Sequence, residues 1–363
     1  MASPAAATLD AAGSARDAGL RYVTDETPGL TRQRRGRGFA YRNQRGRLVR
    51  DRRTLGRIRA LAVPPAWRDV WICADPRGHL QATGRDARRR KQYRYHPMWT
   101  AARDETKYGR MEVFGRALPA LRRQVARDLR QPALSRERVL ATVVTLLEKT
   151  LIRVGNDEYA RANRSFGLTT LENRHVRVRG ARVHFKFRAK SGVLQVVELE
   201  DAALARSVKR CQELPGQELF QYLDPDGARQ SVDSSDVNAY VRTATGQDFT
   251  AKDFRTWAGT VLAACALARL EPAASDTARK RQVVEVVAGV AARLGNTPAV
   301  CRRCYIHPGV VDAYIAGKVV DRGSARLRES RMSAEEASVL AFLRRLSRSS
   351  SSGTAKGSTP GRA

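Results

Sequence analysis

The spacing of apolar and polar positions changes along the chain. In the first region the apolar runs are short. Over residues 21–98, brief apolar runs are separated by Gly and Pro. Residues 38–41, 70–73 and 79–83 have the composition of strands bounded by turn residues. This pattern predicts a small N-terminal domain that is mainly β, with little helix.

From about residue 100 onward the apolar spacing becomes that of helices. Ser135 is a candidate N-cap and Gly155 a candidate stop for the first clear helix. Similar patterns run over residues 254–270 and 283–294. The apolar positions of the first helix recur at i, i+3 and i+4, and they are Val139, Leu140, Val143, Leu146, Leu147 and Leu151.

One β segment interrupts the helical region. Residues 175–179, 182–189 and 193–199 alternate between apolar and polar side chains, with turn residues between them. The segment therefore predicts a three-stranded meander, with Lys190 at the tip between its second and third strands. The predicted fold class is α+β, with a small mainly β domain and a larger mainly α domain that contains the meander.

Four segments follow from these patterns. Residues 1–19 are rich in Ala, Gly and Ser and predict a disordered leader, and residues 20–100 form the β domain. Residues 101–346 form the helical domain, and the Ser- and Gly-rich residues 347–363 predict a disordered tail.

The charge of the chain indicates its class of partner. Lys and Arg number 67 against 36 Asp and Glu, which gives a net charge of +31. Such a surface binds polyanions, and nucleic acid is the first candidate. No apolar run of about 18 residues and no signal peptide is evident, which argues against a membrane protein. Five cysteines are too few for a disulfide framework, so a cytoplasmic location is expected.

The positive charge is concentrated in two clusters. Residues 31–60 contain twelve Arg and one acid, Asp51. Residues 84–97 contain six Arg or Lys with Tyr93 and Tyr95 between them. Cations contact phosphates, and aromatic rings stack on bases, so the N-terminal domain is expected to grip DNA.

Several common catalytic sites are absent from the sequence. It contains no GxxxxGK[ST] phosphate loop and no HExxH metal motif. Cys301 and Cys304 form a lone C-x-x-C, which is either half of a zinc site or incidental. Neither a metal nor a cofactor is expected.

The most informative stretch is GNTPAVCRRCYIHP, residues 295–308. Tyr305 lies ten residues after Gly295, which is expected to end a helix. Its neighbours Arg302, Arg303 and His307 create an electropositive setting that favours attack of a phenolate on a phosphodiester.

Five strings in order extend this observation over residues 21–319. They are GRDARRRKQYRYH, LEKTLIRVGNDEYARANRSFGLTTL, HFKFRAKSG, KDFRTWAGT and GNTPAVCRRCYIHP. With these strings the chain resembles the type IB DNA topoisomerases, in particular the small bacterial and poxvirus-type enzymes, whose catalytic fold is shared with the tyrosine recombinases.

The resemblance implies a role for each matching residue. Tyr305 would form a 3′-phosphotyrosyl bond, Arg153 and Arg255 would hold the scissile phosphate, Lys190 would protonate the leaving 5′-oxygen, and Asn296 would donate a hydrogen bond to a phosphate oxygen. Further DNA contacts are implied at Gln92, Tyr93, Tyr95, Tyr159 and Lys252.

The same resemblance implies how the enzyme would work. A monomer would relax supercoiled double-stranded DNA by strand rotation, with neither ATP nor metal, in the bacterial nucleoid. A tyrosine stores the energy of the broken bond covalently, so religation needs no other energy source.

Two alternatives remain at the level of sequence. A tyrosine recombinase usually carries His three residues before the second Arg, where this chain has Lys252, and its N-terminal domain is helical. A non-enzymatic architectural DNA-binding protein would use the charge alone and would have no need of the spaced Arg, Lys and Tyr.

Overall fold

The computed structural model describes residues 4–36, 38–87, 89–131, 134–271, 273–321 and 331–353. They form two compact units, Met1–Tyr108 and Gly109–Ala363. The first contains a β-sheet and the second is mainly helical, so the α+β fold class is confirmed.

The first unit is built on a five-stranded antiparallel sheet with the strand order β2-β1-β3-β4-β5. The strands predicted at residues 38–41, 70–73 and 79–83 fall in β2, β3 and β4. The elements of this unit are α1 (Pro4–Asp17), β1 (Gly29–Arg35), β2 (Gly38–Arg42), α2 (Arg52–Ala60), β3 (Arg68–Cys73), β4 (Leu80–Arg85), β5 (Lys91–Tyr95) and the start of α3 (Pro97–Asp128). Its core consists of Leu30, Ile58, Val70, Ile72 and Ala82.

The prediction of a disordered leader over residues 1–19 is wrong for the described part of that segment. Residues 4–17 form α1, and Ala15 is fully buried against Leu20 and Trp99. Ala is the strongest helix former, but its small side chain gives no amphipathic stripe. The helix therefore leaves little trace in the hydropathy pattern.

The second unit consists mainly of helices. Ser135 caps the helix that follows α3, as predicted, but that helix ends at Leu151 in the left-handed conformation rather than at Gly155. After α3, the helices are α4 (Arg136–Thr150), α5 (Asp157–Asn163), α6 (Ala202–Glu213), α7 (Ser234–Thr245), α8 (Ala251–Leu267), α9 (Asp276–Leu294), α10 (Pro298–Tyr305), α11 (Pro308–Ile315) and α12 (Ala334–Gly353).

The meander is present as predicted. Its strands are β6 (Val176–Arg179), β7 (Arg182–Arg188) and β8 (Leu194–Glu200), in that order and antiparallel. Lys190 begins the turn between β7 and β8, where Ser191 and Gly192 have φ of 68° and 77°. A second, two-stranded sheet was not predicted, and it pairs β9 (Gln221–Leu223) with β10 (Arg229–Ser231).

The prediction of a disordered tail is also wrong for residues 347–353, which the structure describes. Residues 347–353 continue α12, and the Ser347 hydroxyl donates to the carbonyl of Leu343 at 3.1 Å, one turn earlier. The hydroxyl of Ser347 thus finds its hydrogen-bond acceptor within the helix. Residues 354–363 lie outside the described residues.

No single helix within the described ranges is long and apolar enough to cross a membrane. The bent pair α9–α10, with an angle of 89°, passes the test of length and composition only when taken together.

Candidate active site

Arg153 lies in the segment between α4 and α5, and that segment is held by the residues that follow α5. The carbonyl of Arg153 accepts a hydrogen bond from the backbone N–H of Leu168 at 2.9 Å, and the carbonyl of Val154 accepts one from Thr169 at 2.6 Å. A Cβ on Gly167 would lie 2.6 Å from the Arg153 carbonyl oxygen. The absence of a side chain at Gly167 therefore permits the close approach that fixes Arg153.

Arg255 projects from α8 and is 4% exposed. One terminal nitrogen donates to the carbonyl of Leu151 and the other to the carbonyl of Leu294, the latter at 2.7 Å. Its Nε is buried and has no hydrogen-bond partner among the described residues. Burial lowers the pKa of Arg255 and so does the nearby charge of Arg153.

Asn296 follows the left-handed residue Gly295, which ends α9 as predicted. Its backbone N–H donates to the carbonyl of Ala291 at 2.9 Å, and its Oδ1 accepts a hydrogen bond from Nη2 of Arg153 at 2.5 Å. The same Nη2 lies 3.0 Å from the carbonyl oxygen of Gly295. The Nδ2 of Asn296 is buried without a partner in the described part of the chain, so it is a donor oriented by the bond at Oδ1.

Tyr305 is the last residue of α10 and is half-buried. The guanidinium carbon of Arg255 lies 5.2 Å from the centre of the Tyr305 ring. Burial lowers the pKa of Arg153, and the proximity of Tyr305 opposes that shift. The structure thus places Arg153, Arg255, Asn296 and Tyr305 at one site.

Lys190 is not part of this cluster. It is exposed at the tip of the hairpin, and within the described ranges it forms no hydrogen bond or ion pair. Lys252 is exposed in the first turn of α8, before Arg255. Tyr159 lies in α5, and its side chain is outside the part that the structure describes.

The predicted DNA contacts on β5 divide between its two faces. Tyr93 and Tyr95 are 46% and 39% exposed, and their rings stack with centres 6.0 Å apart. Gln92 points to the other side of the strand, as alternation requires, and donates to Asp86 at 3.0 Å. The two tyrosines are therefore open to a ligand, whereas Gln92 already has a protein partner.

The arginines of residues 31–60 fall into exposed and partly buried groups that composition did not separate. Arg34 and Arg47 are exposed, as a phosphate contact requires. Arg32 donates to the carbonyls of Val63, Pro64 and Trp67 at 3.3, 3.1 and 2.7 Å. Burial lowers the pKa of Arg32, so this guanidinium is part of the fold.

Arg57 is a second structural arginine of this cluster. It donates to the side chain of Gln81 and to the carbonyl of Cys73, each at 2.6 Å. Gln81 and Cys73 lie 24 and 16 positions from Arg57, so no local pattern indicates this role.

Cys301 and Cys304 both lie in α10. Cys301 is buried, and burial raises its pKa to about 11. No group of three or more His, Cys, Asp or Glu side chains in the described part of the chain is arranged to hold a metal ion.

Comparison of the sequence with known proteins identifies one class of enzyme. The family model "Eukaryotic DNA topoisomerase I, catalytic core" matches residues 90–319. The chain belongs to the type IB DNA topoisomerase family, so it is an isomerase whose substrate is DNA. The model "Bacterial DNA topoisomerase IB, N-terminal domain" matches residues 38–86, which suggests a bacterial origin.

A viral relative supports the same assignment. DNA topoisomerase 1B of Acanthamoeba polyphaga mimivirus is 29% identical over 293 residues, which are 79% of this chain and 87% of the relative. The predicted family is confirmed. The alternatives of a recombinase and an architectural protein receive no support from these matches.

Proposed function

We propose that this enzyme relaxes supercoiled duplex DNA through a transient 3′-phosphotyrosyl bond to Tyr305, followed by strand rotation and religation. The proposal rests above all on the meeting of Arg153, Arg255 and Asn296 around Tyr305. It requires neither ATP nor a metal ion, because the enzyme exchanges one phosphodiester bond for another.

The donors at this site suit a phosphate that is gaining charge. Arg153 is anchored through one terminal nitrogen, and its guanidinium has further N–H groups for the nonbridging oxygens. The orphaned Nδ2 of Asn296 and Nε of Arg255 are buried donors whose desolvation an incoming phosphate would offset. Fixed donors of this kind stabilise a transition state without reorganisation. We propose Lys252 and Tyr159 as further phosphate contacts.

In the cleavage step, Tyr305 Oη attacks phosphorus while the bond between phosphorus and the 5′-oxygen breaks. The phenolic proton passes to water, and Lys190 transfers a proton to the departing 5′-oxygen. Religation reverses each transfer. Because Lys190 is exposed at a hairpin tip, it can approach bound DNA without disturbing the buried donors.

We propose that the first unit provides much of the DNA grip. The exposed Arg34 and Arg47 would contact phosphates, and the exposed pair Tyr93 and Tyr95 would contact bases. Gln92 would contact a base only if its hydrogen bond to Asp86 were broken. We further propose that the enzyme acts as a monomer on the bacterial chromosome, which light scattering of the free enzyme and its DNA complex would check.

Plasmid relaxation tests the central proposal. Supercoiled circles should relax in EDTA without ATP, and Tyr305→Phe should bind DNA but relax none. Tyr314→Phe is the matched control, because Tyr314 is a buried tyrosine whose hydroxyl donates to Gln282 at 2.6 Å. Relaxation by Tyr305→Phe at the parental rate would refute the mechanism.

A leaving group that needs no proton isolates the role of Lys190. Lys190→Ala should slow cleavage of ordinary DNA by about 10²–10⁴-fold, the range for loss of a general acid. A 5′-bridging sulfur leaves readily as a thiolate and should restore most of that rate. Lys186→Ala, an exposed lysine on β7, is the control. Equal loss on both substrates would exclude proton donation by Lys190.

A further inference from the structure

We propose that Gly259 and Thr260 of α8 are positioning residues that hold the backbone of Tyr305 against the helix carrying Arg255. The inference rests on the proposed function of Tyr305 as the nucleophile and extends it to the residues that support it.

Gly259 permits a contact between two backbones. A Cβ at this position would lie 2.6 Å from the carbonyl oxygen of Tyr305 and 3.2 Å from its Cβ. The first atom belongs to the main chain, so it cannot turn away as the end of a side chain can. Only glycine allows the end of α10 to approach α8 this closely.

Thr260 supplies the polar half of the same contact. It is fully buried, and its Oγ1 accepts a hydrogen bond from the backbone N–H of His307 at 3.1 Å. The same hydroxyl lies 2.8 Å from the carbonyl oxygen of Thr256 and 3.4 Å from that of Tyr305. One side chain therefore ties the link between α10 and α11 to α8, directly beside the nucleophile.

The helical register explains why this contact matters for chemistry. Arg255 and Gly259 are four residues apart, so they share a face of α8. That face carries both the guanidinium 5.2 Å from the Tyr305 ring centre and the surface on which the Tyr305 backbone rests. The position of Tyr305 relative to Arg255 is thus set by α8, and a misplacement of a nucleophile by about 1 Å can cost roughly 10²-fold in rate.

Thr260 is tested by changing its hydroxyl alone. Thr260→Val keeps the shape of the side chain but removes the acceptor for His307, whereas Thr260→Ser keeps the acceptor. Thr256→Val is the matched control, because Thr256 is fully buried on the same helix and its hydroxyl donates within that helix, to the backbone carbonyl of Lys252 at 3.2 Å.

Single-turnover cleavage at saturating DNA is the assay, on an oligonucleotide carrying a site first mapped with the parent enzyme. We expect Thr260→Val to cleave about 10- to 100-fold more slowly, with the Kd for DNA changed less than about two-fold. Thr260→Ser and Thr256→Val should stay within about three-fold of the parent. A merely structural loss would lower the fraction of active enzyme and leave the rate constant of that fraction unchanged.

Gly259→Ala tests the steric half of the inference. It should slow cleavage by about 10²-fold or more, while Gly289→Ala should not, because a Cβ on that α9 residue meets nothing within 4 Å. If Gly259→Ala does not fold, the Thr260 variants decide.

The outcomes separate the two proposals. Parental cleavage rates in both Thr260→Val and Gly259→Ala, with Tyr305→Phe inactive, would overturn this inference alone. Cleavage by Tyr305→Phe would remove the proposed function on which the inference depends.

Discussion

The carboxylate of Glu336 connects α12 to α8, the helix that carries Arg255. Its replacement tests how much this contact contributes to stability. Glu336 lies in α12, beyond the residues 90–319 that match the catalytic core of the family. It accepts hydrogen bonds from Arg122 at 2.7 and 2.9 Å and from the indole N–H of Trp257 at 3.0 Å. The backbone N–H of Ser333 donates at 3.0 Å.

The expected loss in free energy of unfolding for Glu336→Gln follows from the low exposure of these side chains. The side chains of Glu336 and Arg122 are 13% and 20% exposed. Breaking a fully buried ion pair costs about 3–5 kcal/mol, and Glu148, which also pairs with Arg122, retains part of the interaction. We therefore expect a loss of about 2–3 kcal/mol, which corresponds to a Tm lower by roughly 5–10 °C for a unit of this size.

Thermal unfolding at neutral pH measures this loss, with Glu335→Gln as the control. Glu335 is the neighbouring residue, and its ion pair with Arg269 has partners that are 50% and 53% exposed. Exposed pairs contribute about 1 kcal/mol or less. If Glu336→Gln is no more destabilising than Glu335→Gln, the reasoning about this network is wrong.

The pH dependence gives an independent check. Burial would raise the pKa of Glu336, but the hydrogen bonds and charge of Arg122 outweigh it, and the pKa lies below the ordinary value of 4.5. A carboxylate of depressed pKa stabilises the folded state above its unfolded pKa and loses that effect as the pH falls through the folded value. The difference between parent and variant should therefore be constant near neutrality and shrink below about pH 4.5.

Three further predictions concern the positions of arginines. Gly167→Ala should displace the Arg153 carbonyl, which would lie 2.6 Å from the new Cβ, and slow single-turnover cleavage by about 10²-fold without weakening DNA binding. A parental cleavage rate would show that the loop tolerates the methyl group. Arg34→Ala and Arg47→Ala should each lower the salt dependence of DNA binding by about one unit of slope, measured by titration at several salt concentrations. Arg32→Ala should instead lower the Tm of the first unit, and a change in slope without a change in Tm would contradict its structural role.

The extent to which the fold could be predicted depended on side-chain size. The alternation in β6, β7 and β8 and the apolar stripe of α4 both involve large side chains, and both are confirmed. The helix α1 has little beyond Ala to mark it, and only Ala15 in its described side chains is buried in the core. The continuation of α12 was missed because Ser was interpreted by composition rather than by its capacity to bond within a helix.

The site shows a similar division. The motifs located the residues that the structure brings together around Tyr305, but they did not indicate what holds these residues. Trp257 and Glu336 are 79 positions apart, and Arg32 reaches carbonyls more than 30 positions away. Gly259 and Thr260 lie within the string KDFRTWAGT, yet their contact with the Tyr305 backbone depends on the packing of α8 against α10. Such pairings arise from tertiary structure, and a single sequence has no local signature for them.

In the absence of DNA, the guanidinium of Arg255 already binds the carbonyl groups at the ends of two helices. Its terminal nitrogens bond the carbonyl of Leu294, the last residue of α9, and that of Leu151, just beyond α4. These bonds use donors that a lysine ammonium could not supply in the same fixed plane. Arg255→Lys is therefore expected to remove the bonds to both helix ends, in addition to weakening the proposed contact with phosphate. If Arg255 also binds the scissile phosphate, as we propose, the architecture and the chemistry depend on the same group, and a redesign of the enzyme for a different substrate has to keep this side chain.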